Sequence, residues 1–445
     1  MTSTGYRRAR VLERSADGGT VTLSEIPGGL RVITESVPGS RSASVGIWVG
    51  VGSIDENPAL AGASHYLEHL LFKGTKSRSG ADISVAIDAV GGELNAFTSH
   101  EYTCYFAHVL ADEAQMAVDL VCDVVLDATI TPADVDTERQ VILEEIAMRD
   151  DDPEDVLNDL FASSVFAGSA LAEPVIGTIE TIESMTRRQI NSYYHRRYTP
   201  SKMVVSVAGG VVHADVVRWV KRAFKNFLEP ESLPAVPRTK NPGRLSGTGS
   251  LALIDRDTEQ AHLCVGSPAL SRHDPRRYAL GVFNTALGGG MSSRLFRAIR
   301  EERGLAYSCY SSSSAYADAG SFSIYAGCQP ENLAEVVTVI QAELNRARGG
   351  LSVEELARAK GQMVGSMILG LEDNESRMSR IGKNILVRNG YRSVQDEIDA
   401  IRAVSQDDIL AVLNEVLIAP ISAAVVGPYA KTKNLPKVLT SMVKR

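Results

Sequence analysis

Two histidines and one glutamate lie within five residues of the segment HYLEHLLF, most of which is apolar. In a helix, positions i, i+3 and i+4 share one face, so His65, Glu68 and His69 would point the same way. Two neutral imidazoles at this spacing can hold one Zn²⁺, and the glutamate between them can act as the general base that activates water. The spacing therefore predicts a hydrolytic zinc site.

The alternative is a helix whose two partly buried histidines have a purely structural role. For a single histidine we would prefer that interpretation. A chance HxxEH pattern in a chain with eight histidines is expected at about the one-in-a-hundred level. The pattern therefore favours chemistry, and because zinc hydrolases keep three protein ligands, it requires one more.

The segment ERQVILEEIAMRDDDPED (residues 138–155) offers several carboxylates for that position. Together with HxxEH it resembles the pitrilysin-like (inverzincin) zinc metallopeptidases, above all the small bacterial members and the beta subunit of mitochondrial processing peptidase. In that family the third ligand is a glutamate on a separate helix, about 75 residues beyond the second histidine. The resemblance implies Glu145, which 75 residues separate from His69, and one Zn²⁺ per chain.

The neighbouring Glu144 is the rival for this role. The two side chains would point about 100° apart on a helix, so only one can face the metal. Glu145 is preferred because Glu138 lies seven residues earlier on the same face and resembles a supporting carboxylate of the family.

Two stretches resemble the family's substrate-binding parts. GGELNAFTSHEYTCYF (residues 91–106) is similar to its turn and edge strand, which implies that Asn95 and Phe97 lie near a peptide bound as an added strand. The alternative is an ordinary strand after a Gly-Gly turn. Residues 144–159 contain eight acidic residues and one arginine. The resemblance implies that Asp155 and Asp159 contact substrate arginine, whereas such a run is commonly a solvated helix face.

The second half of the chain has no HxxEH pattern. Its segment SSRLFRAIREERGLAYS (residues 292–308) resembles the family segment that carries an arginine and, seven residues later, a tyrosine. The resemblance implies that Arg300 holds the peptide backbone and that Tyr307 stabilises the oxyanion. The alternative is a salt-bridged helix arginine and a core tyrosine.

The order of elements repeats along the chain. Residues 229–250 contain four prolines and three glycines and form a predicted linker. On either side, 20–228 and 251–432, similar strands and helices follow in the same order, which indicates an internal duplication. The predicted fold class is α+β, with two homologous domains, each a mainly antiparallel sheet packed with helices.

Composition narrows the remaining classes of function. The net charge of −8 argues against nucleic acid, and five scattered cysteines among 445 residues favour a reducing compartment. The N-terminal segment lacks a signal-peptide core, and no window is apolar enough for a membrane helix. We expect a cytoplasmic protein, with the mitochondrial matrix as the alternative.

The sequence as a whole predicts a zinc endopeptidase that acts on peptides or unfolded segments, with Glu68 as general base. Longer family members form a four-domain chamber, so a two-domain chain is expected to form a homodimer, or a heterodimer with a related chain. The alternatives are a precursor-processing subunit with a partner chain and a non-catalytic peptide-binding subunit.

Overall fold

The computed structural model describes residues 7–15, 18–239, 249–388 and 390–443. Within the predicted linker, residues 240–248 lie outside the described residues. The strands are β1 (Arg7–Arg14), β2 (Thr20–Ile26), β3 (Leu30–Ser36), β4 (Ser42–Val49), β5 (Glu93–Thr98), β6 (Thr103–Leu110), β7 (Met203–Gly209), β8 (Leu251–Asp255), β9 (Ala261–Ala269), β10 (Ala306–Ala315), β11 (Gly320–Cys328) and β12 (Ser422–Gly427).

The α-helices are α1 (Ala63–Leu71), α2 (Gly80–Asp88), α3 (Ala114–Asp127), α4 (Pro132–Asp151), α5 (Pro153–Val165), α6 (Ile179–Ser184), α7 (Arg187–Arg197), α8 (His213–Ala223), α9 (Arg277–Gly288), α10 (Leu333–Ala347), α11 (Val353–Gly370), α12 (Asn374–Val387), α13 (Val394–Ala403), α14 (Gln406–Val416) and α15 (Lys437–Val443). A π-helical turn covers Phe296–Glu301. No helix among the described residues is long and apolar enough to cross a membrane.

The chain folds into two compact units, and neither is continuous in sequence. The first comprises Met1–Ile146, Pro174–Arg238 and Leu369–Ser393, and the second comprises Ala147–Glu173, Thr239–Ile368 and Val394–Arg445. Helix α12 therefore belongs to the first unit and α5 to the second. The domain limits drawn from the sequence, 20–228 and 251–432, stay predictions.

Each unit is built on one sheet, and the two sheets share a strand order. The first sheet runs β1-β2-β3-β7-β4-β6-β5 and the second β10-β11-β9-β12-β8. Read from the other edge, the second sheet repeats the last five strands of the first. The repeat has one parallel pair, β3 with β7 and β8 with β12, and the other pairs are antiparallel. The predicted α+β class with two homologous, mainly antiparallel sheets is confirmed.

The duplication extends to single residues. Gly46 on β4 pairs with Ser206 on β7, and Gly266 on β9 pairs with Ser422 on β12. A Cβ on Gly46 would lie within 2.4 Å of the sulfur of Met378 on α12, and one on Gly266 would lie within 2.9 Å of the ring of Phe161 on α5. Each sheet therefore carries a glycine where a helix from elsewhere in the chain crosses it closely.

The cores lie on the faces of these sheets. In the first unit, one face of the sheet packs against α1, α3, α4, α7 and α8, and the other packs against α12. In the second unit, one core joins the sheet to α9, α10 and α14. All five cysteines are buried and free.

Candidate metal centre

Helix α1 is anchored by its apolar side chains and capped by a glutamate from the preceding loop. Leu67, Leu70 and Leu71 are fully buried in the core. Glu56 accepts hydrogen bonds from the backbone N–H groups of Gly62 (2.8 Å) and Ser64 (2.6 Å), which lie at the start of the helix. Burial raises the pKa of Glu56 to about 7. The packing and the cap together fix the direction of the face opposite the leucines.

That opposite face carries the HxxEH residues. His65 and His69 lie one turn apart, and their ring centroids are separated by 4.8 Å. Burial, followed by the proximity of His69, lowers the pKa of His65 to about 4. His65 is therefore neutral at physiological pH, the state in which an imidazole can bind a metal.

Helix α4 supplies the carboxylate that meets the two imidazoles. Oε2 of Glu145 lies 3.7 Å from Nε2 of His65 and 3.4 Å from Nε2 of His69. Glu144 is exposed and is not one of the three residues of this cluster. The hydroxyl of Tyr66 on α1 donates a hydrogen bond to the carbonyl of Val135 on α4, which ties the two helices together.

The donor set fits Zn²⁺. One atom each from His65, His69 and Glu145 lies within 4.8 Å of the other two, so a single ion could contact all three. Two imidazole nitrogens and one carboxylate oxygen are a ligand set found in catalytic zinc sites. The structure therefore brings together the three residues that the sequence predicted as ligands.

A buried carboxylate orients one of these imidazoles. Oε2 of Glu138 lies 3.1 Å from Nδ1 of His69, so Nε2 of the ring is the nitrogen that faces Glu145. Glu138 is only 2% exposed, and its Oε1 lies 2.6 Å from the ammonium group of Lys73. Carboxylate–histidine pairs of this kind hold metal ligands in place.

Glu68 is held by the edge strand of the first sheet. Its Oε2 accepts a hydrogen bond of 2.6 Å from the hydroxyl of Thr98 at the end of β5. Burial raises the pKa of Glu68, and the bond from Thr98 opposes that rise. A carboxylate whose pKa is raised binds a proton more readily, which suits a general base.

Strand β5 carries the predicted peptide-contacting residues. It pairs with β6 alone among the described strands and lies at the edge of its sheet. Asn95 and Phe97 are exposed and lie on the opposite strand face from Thr98. The Phe97 ring packs at 5.8 Å from that of Trp48. Their contact with substrate stays a prediction.

Arg300 and Tyr307 lie together in the second unit. Nη1 of Arg300 donates a hydrogen bond of 3.0 Å to the carbonyl of Tyr307, and its guanidinium lies 4.3 Å from the centre of the tyrosine ring. Tyr307 is 77% exposed, so it is not a core tyrosine. Its role and that of Arg300 stay predictions.

Asp155 and Asp159 lie on α5, which also belongs to the second unit. Asp155 is exposed. Asp159 lies 3.3 Å from the guanidinium of Arg149, and burial raises the pKa of Asp159. The two residues therefore differ: the first is open to solvent, whereas the second already has a cationic partner.

Three residues of the site were not predicted from the sequence: Glu56, Lys73 and Thr98. Lys73 lies in the turn just after α1, so the helical spacing of the motif did not point to it. Glu56 and Thr98 act from loop and strand positions, and no periodicity links them to the motif.

The chain is similar to known peptidases over nearly its whole length. Residues 31–179 match the family described as insulinase (peptidase family M16), and residues 184–363 match the family described as peptidase M16 inactive domain. A relative from Streptomyces coelicolor, named an uncharacterized zinc protease, is 50% identical and covers 95% of this chain and 93% of its own. A relative from Bacillus subtilis with the same description is 36% identical, and the match covers 90% of this chain and 96% of the relative.

Solved structures show the same fold. The crystal structure of a protease from Helicobacter pylori superposes with a TM-score of 0.85 at 23% identity, covering 92% of this chain and 100% of that one. A peptidase M16 inactive domain from Pseudomonas fluorescens superposes with a TM-score of 0.83 at 19% identity, covering 94% of this chain and 99% of that one.

Proposed function

The chain belongs to the M16 (insulinase and pitrilysin-like) family of peptidases, and we propose that it is a zinc-dependent endopeptidase that cleaves peptides or unfolded segments. The observation that carries this proposal is the convergence of His65, His69 and Glu145 beside Glu68. The relatives named as zinc proteases support it.

In the proposed reaction, His65, His69 and Glu145 would hold Zn²⁺, which would supply Lewis acidity to the hydrolysis of the peptide bond. Glu68 takes the proton from the attacking water and later delivers it to the leaving amine. Thr98 keeps the carboxylate of Glu68 in one orientation through its hydrogen bond. Glu138 keeps the ring of His69 turned towards the metal position.

Strand β5 supports the proposed class of substrate. An unpaired strand edge can accept an extended peptide through backbone hydrogen bonds, and this mode tolerates many side chains. We assign Asn95 and Phe97 to this contact. Arg300 and Tyr307 are assigned, by resemblance, to holding the peptide backbone and stabilising the oxyanion.

We propose a homodimer as the working state, since a two-domain chain is half of the chamber built by longer family members. A heterodimer with a related chain would fit a dedicated precursor-processing role. The proposed compartment is the cytoplasm. A non-catalytic peptide-binding role remains the alternative, and the test below separates it from catalysis.

The first experiment measures cleavage of a quenched-fluorescent, arginine-containing peptide together with the zinc content of each protein. We expect the wild type to cleave, and Glu68→Gln to bind zinc but cleave at least about 100-fold more slowly. Glu145→Gln should lose both zinc and activity. Glu144→Gln is the matched control, because its side chain is exposed and outside the cluster, and it should behave as the wild type.

Absence of cleavage by a zinc-loaded wild type would contradict the proposal of an active homodimer. It would favour a required partner chain or a binding role. Equal cleavage by the wild type and Glu68→Gln would overturn the assignment of the general base.

A further inference from the structure

We propose that a pocket in the second unit binds a small dianion of the phosphate type, independently of the peptidase site. The pocket has a volume of about 570 Å³, which lies within the range of small-molecule sites. It is formed by the π-helical turn Phe296–Glu301 with its flanking residues, by α10 and by the start of α11. We call it the arginine pocket, because its walls carry five arginines. They are Arg294, Arg297, Arg303, Arg346 and Arg358.

Three of these arginines are neutralised by glutamates that also line the pocket. Their N–O distances are 2.6, 2.9 and 3.2 Å, for Arg294–Glu355, Arg346–Glu343 and Arg303–Glu302 respectively. Since each pair is close to neutral, the three pairs contribute little net charge to the pocket.

Arg297 and Arg358 form no ion pair with the glutamates that line the pocket, although the charge of Arg358 also acts on Glu354, one turn earlier on α11. Both are exposed, and neither forms an ion pair within the described part of the chain. Five arginines less three glutamates leave a net charge of +2 on the walls, in a chain whose net charge is −8. A local excess of this sign attracts anions.

Arg294 adds a buried donor that has no acceptor. It is 8% exposed, and its Nε and Nη2 each donate to Glu355 at 2.6 Å. Nη2 also donates to the carbonyl of Gly350 at 3.0 Å. Nη1 is buried and has no hydrogen-bond partner among the described residues. A buried N–H without an acceptor is costly, so this guanidinium is held by Glu355 and the carbonyl of Gly350 alone among the described residues.

These features match one phosphate group better than other anions. A phosphate monoester carries a charge of about −1.5 to −2 at neutral pH and three strong acceptor oxygens. The pocket offers two guanidinium groups that form no ion pair, and guanidinium matches phosphate geometry. A monoanion such as acetate would leave half of the positive charge uncompensated. Two charges confined to one pocket are too few for a nucleic-acid surface.

The test is isothermal titration calorimetry of the full chain at low ionic strength. The probes are inorganic phosphate, glycerol 3-phosphate and acetate. Arg297→Gln and Arg358→Gln each remove one of the two arginines that form no ion pair in the pocket, and because both side chains are exposed, we expect the variants to fold. Arg402→Gln is the matched control, since Arg402 is an exposed arginine of the same unit that does not line the pocket.

We expect phosphate or the phosphomonoester to bind the wild type and Arg402→Gln, and acetate to bind neither. Each pocket variant should raise the Kd about tenfold, as loss of one charge-assisted contact would. Tighter binding of glycerol 3-phosphate than of phosphate would identify a phosphorylated metabolite as the ligand class, and the reverse would identify free phosphate. The proposal is overturned if neither phosphate nor glycerol 3-phosphate binds the wild type at about 10 mM. It is also overturned if the wild type and the three variants bind phosphate with the same Kd.

Discussion

The ammonium group of Lys73 lies 2.6 Å from Oε1 of Glu138, whose other oxygen lies 3.1 Å from Nδ1 of His69. A carboxylate that is 2% exposed is costly unless a cation or a donor compensates it. Lys73 provides that cation from the turn after α1, and Glu138 restrains the ring of His69 through its other oxygen. Lys73 is therefore a positioning residue for the metal site, although it does not touch the metal position.

Replacing Lys73 by methionine should weaken zinc binding. The buried carboxylate of Glu138 would lose its cation and hold the ring of His69 less firmly, so we expect the Kd for zinc to rise about tenfold. The measurement is competition with a zinc-binding dye. Lys73→Arg should restore most of the affinity, because it keeps the charge.

Lys76→Met is the control for that experiment. Lys76 is 74% exposed on its side chain and pairs with Asp127, away from the metal ligands. Equal zinc affinity in Lys73→Met, Lys76→Met and the wild type would contradict the positioning role of Lys73.

Replacing Thr98 by valine should lower kcat without loss of zinc. Valine has nearly the same shape but cannot donate the 2.6 Å hydrogen bond to Glu68. The carboxylate would then sample several orientations, and we expect kcat to fall about fivefold to tenfold. Steady-state kinetics and zinc analysis of the same samples test this.

Thr338→Val controls for the loss of a hydroxyl as such, since the hydroxyl of Thr338 donates to the carbonyl of Ala334 within its own helix. It should keep the kcat of the wild type. An unchanged kcat in Thr98→Val would show that the hydrogen bond does not position the general base.

His213 should make the stability of the fold depend on pH in the mildly acidic range. Its two ring nitrogens lie 2.8 Å from the hydroxyl of Ser24 and 2.9 Å from that of Thr34, and burial lowers the pKa of His213 to about 4. The neutral ring is favoured in the folded state. Its contribution is therefore present above the unfolded pKa of about 6.5 and is lost as the pH falls towards 4.

Allowing for solvent screening at this half-buried position, the loss should be about 1 kcal/mol. Thermal unfolding of His213→Gln should show a smaller drop in Tm between about pH 7.5 and pH 4.5 than the wild type does. His195→Gln replaces an exposed histidine and should keep the full drop. Identical drops in all three proteins would rule out His213 as the titrating group.

The sequence predicted the strands and their repeated order, but not which helices pack on which sheet. Apolar runs ending in glycine identified the strands, and their repeated order indicated the duplication that the two sheets confirm. An amphipathic pattern shows which face of a helix is buried but not what covers it. For this reason the sequence did not show that α12 packs on the first sheet and α5 on the second.

Only part of the site could be predicted, because sequence spacing shows which residues share a helix face but not which residues meet it from other elements. Helical spacing alone places His65, Glu68 and His69 on one face, whereas Glu145 came from the resemblance to a family. The support from Glu56 and Thr98 depends on a loop and a strand end that meet α1 only in the folded chain. Lys73 lies in the turn after α1, where helical spacing no longer applies and a lysine is commonly solvated.

Asp155 and Asp159 should differ in their effect on substrate preference. If substrate arginine is recognised on α5, the exposed carboxylate of Asp155 can meet it directly, whereas Asp159 is already 3.3 Å from the guanidinium of Arg149. Asp155→Asn should therefore reduce the ratio of kcat/KM for an arginine peptide to that for its glutamine analogue, by about threefold to tenfold. Asp159→Asn should change this ratio less. An unchanged ratio in Asp155→Asn would remove the acidic run from substrate recognition and leave it as a solvated helix face.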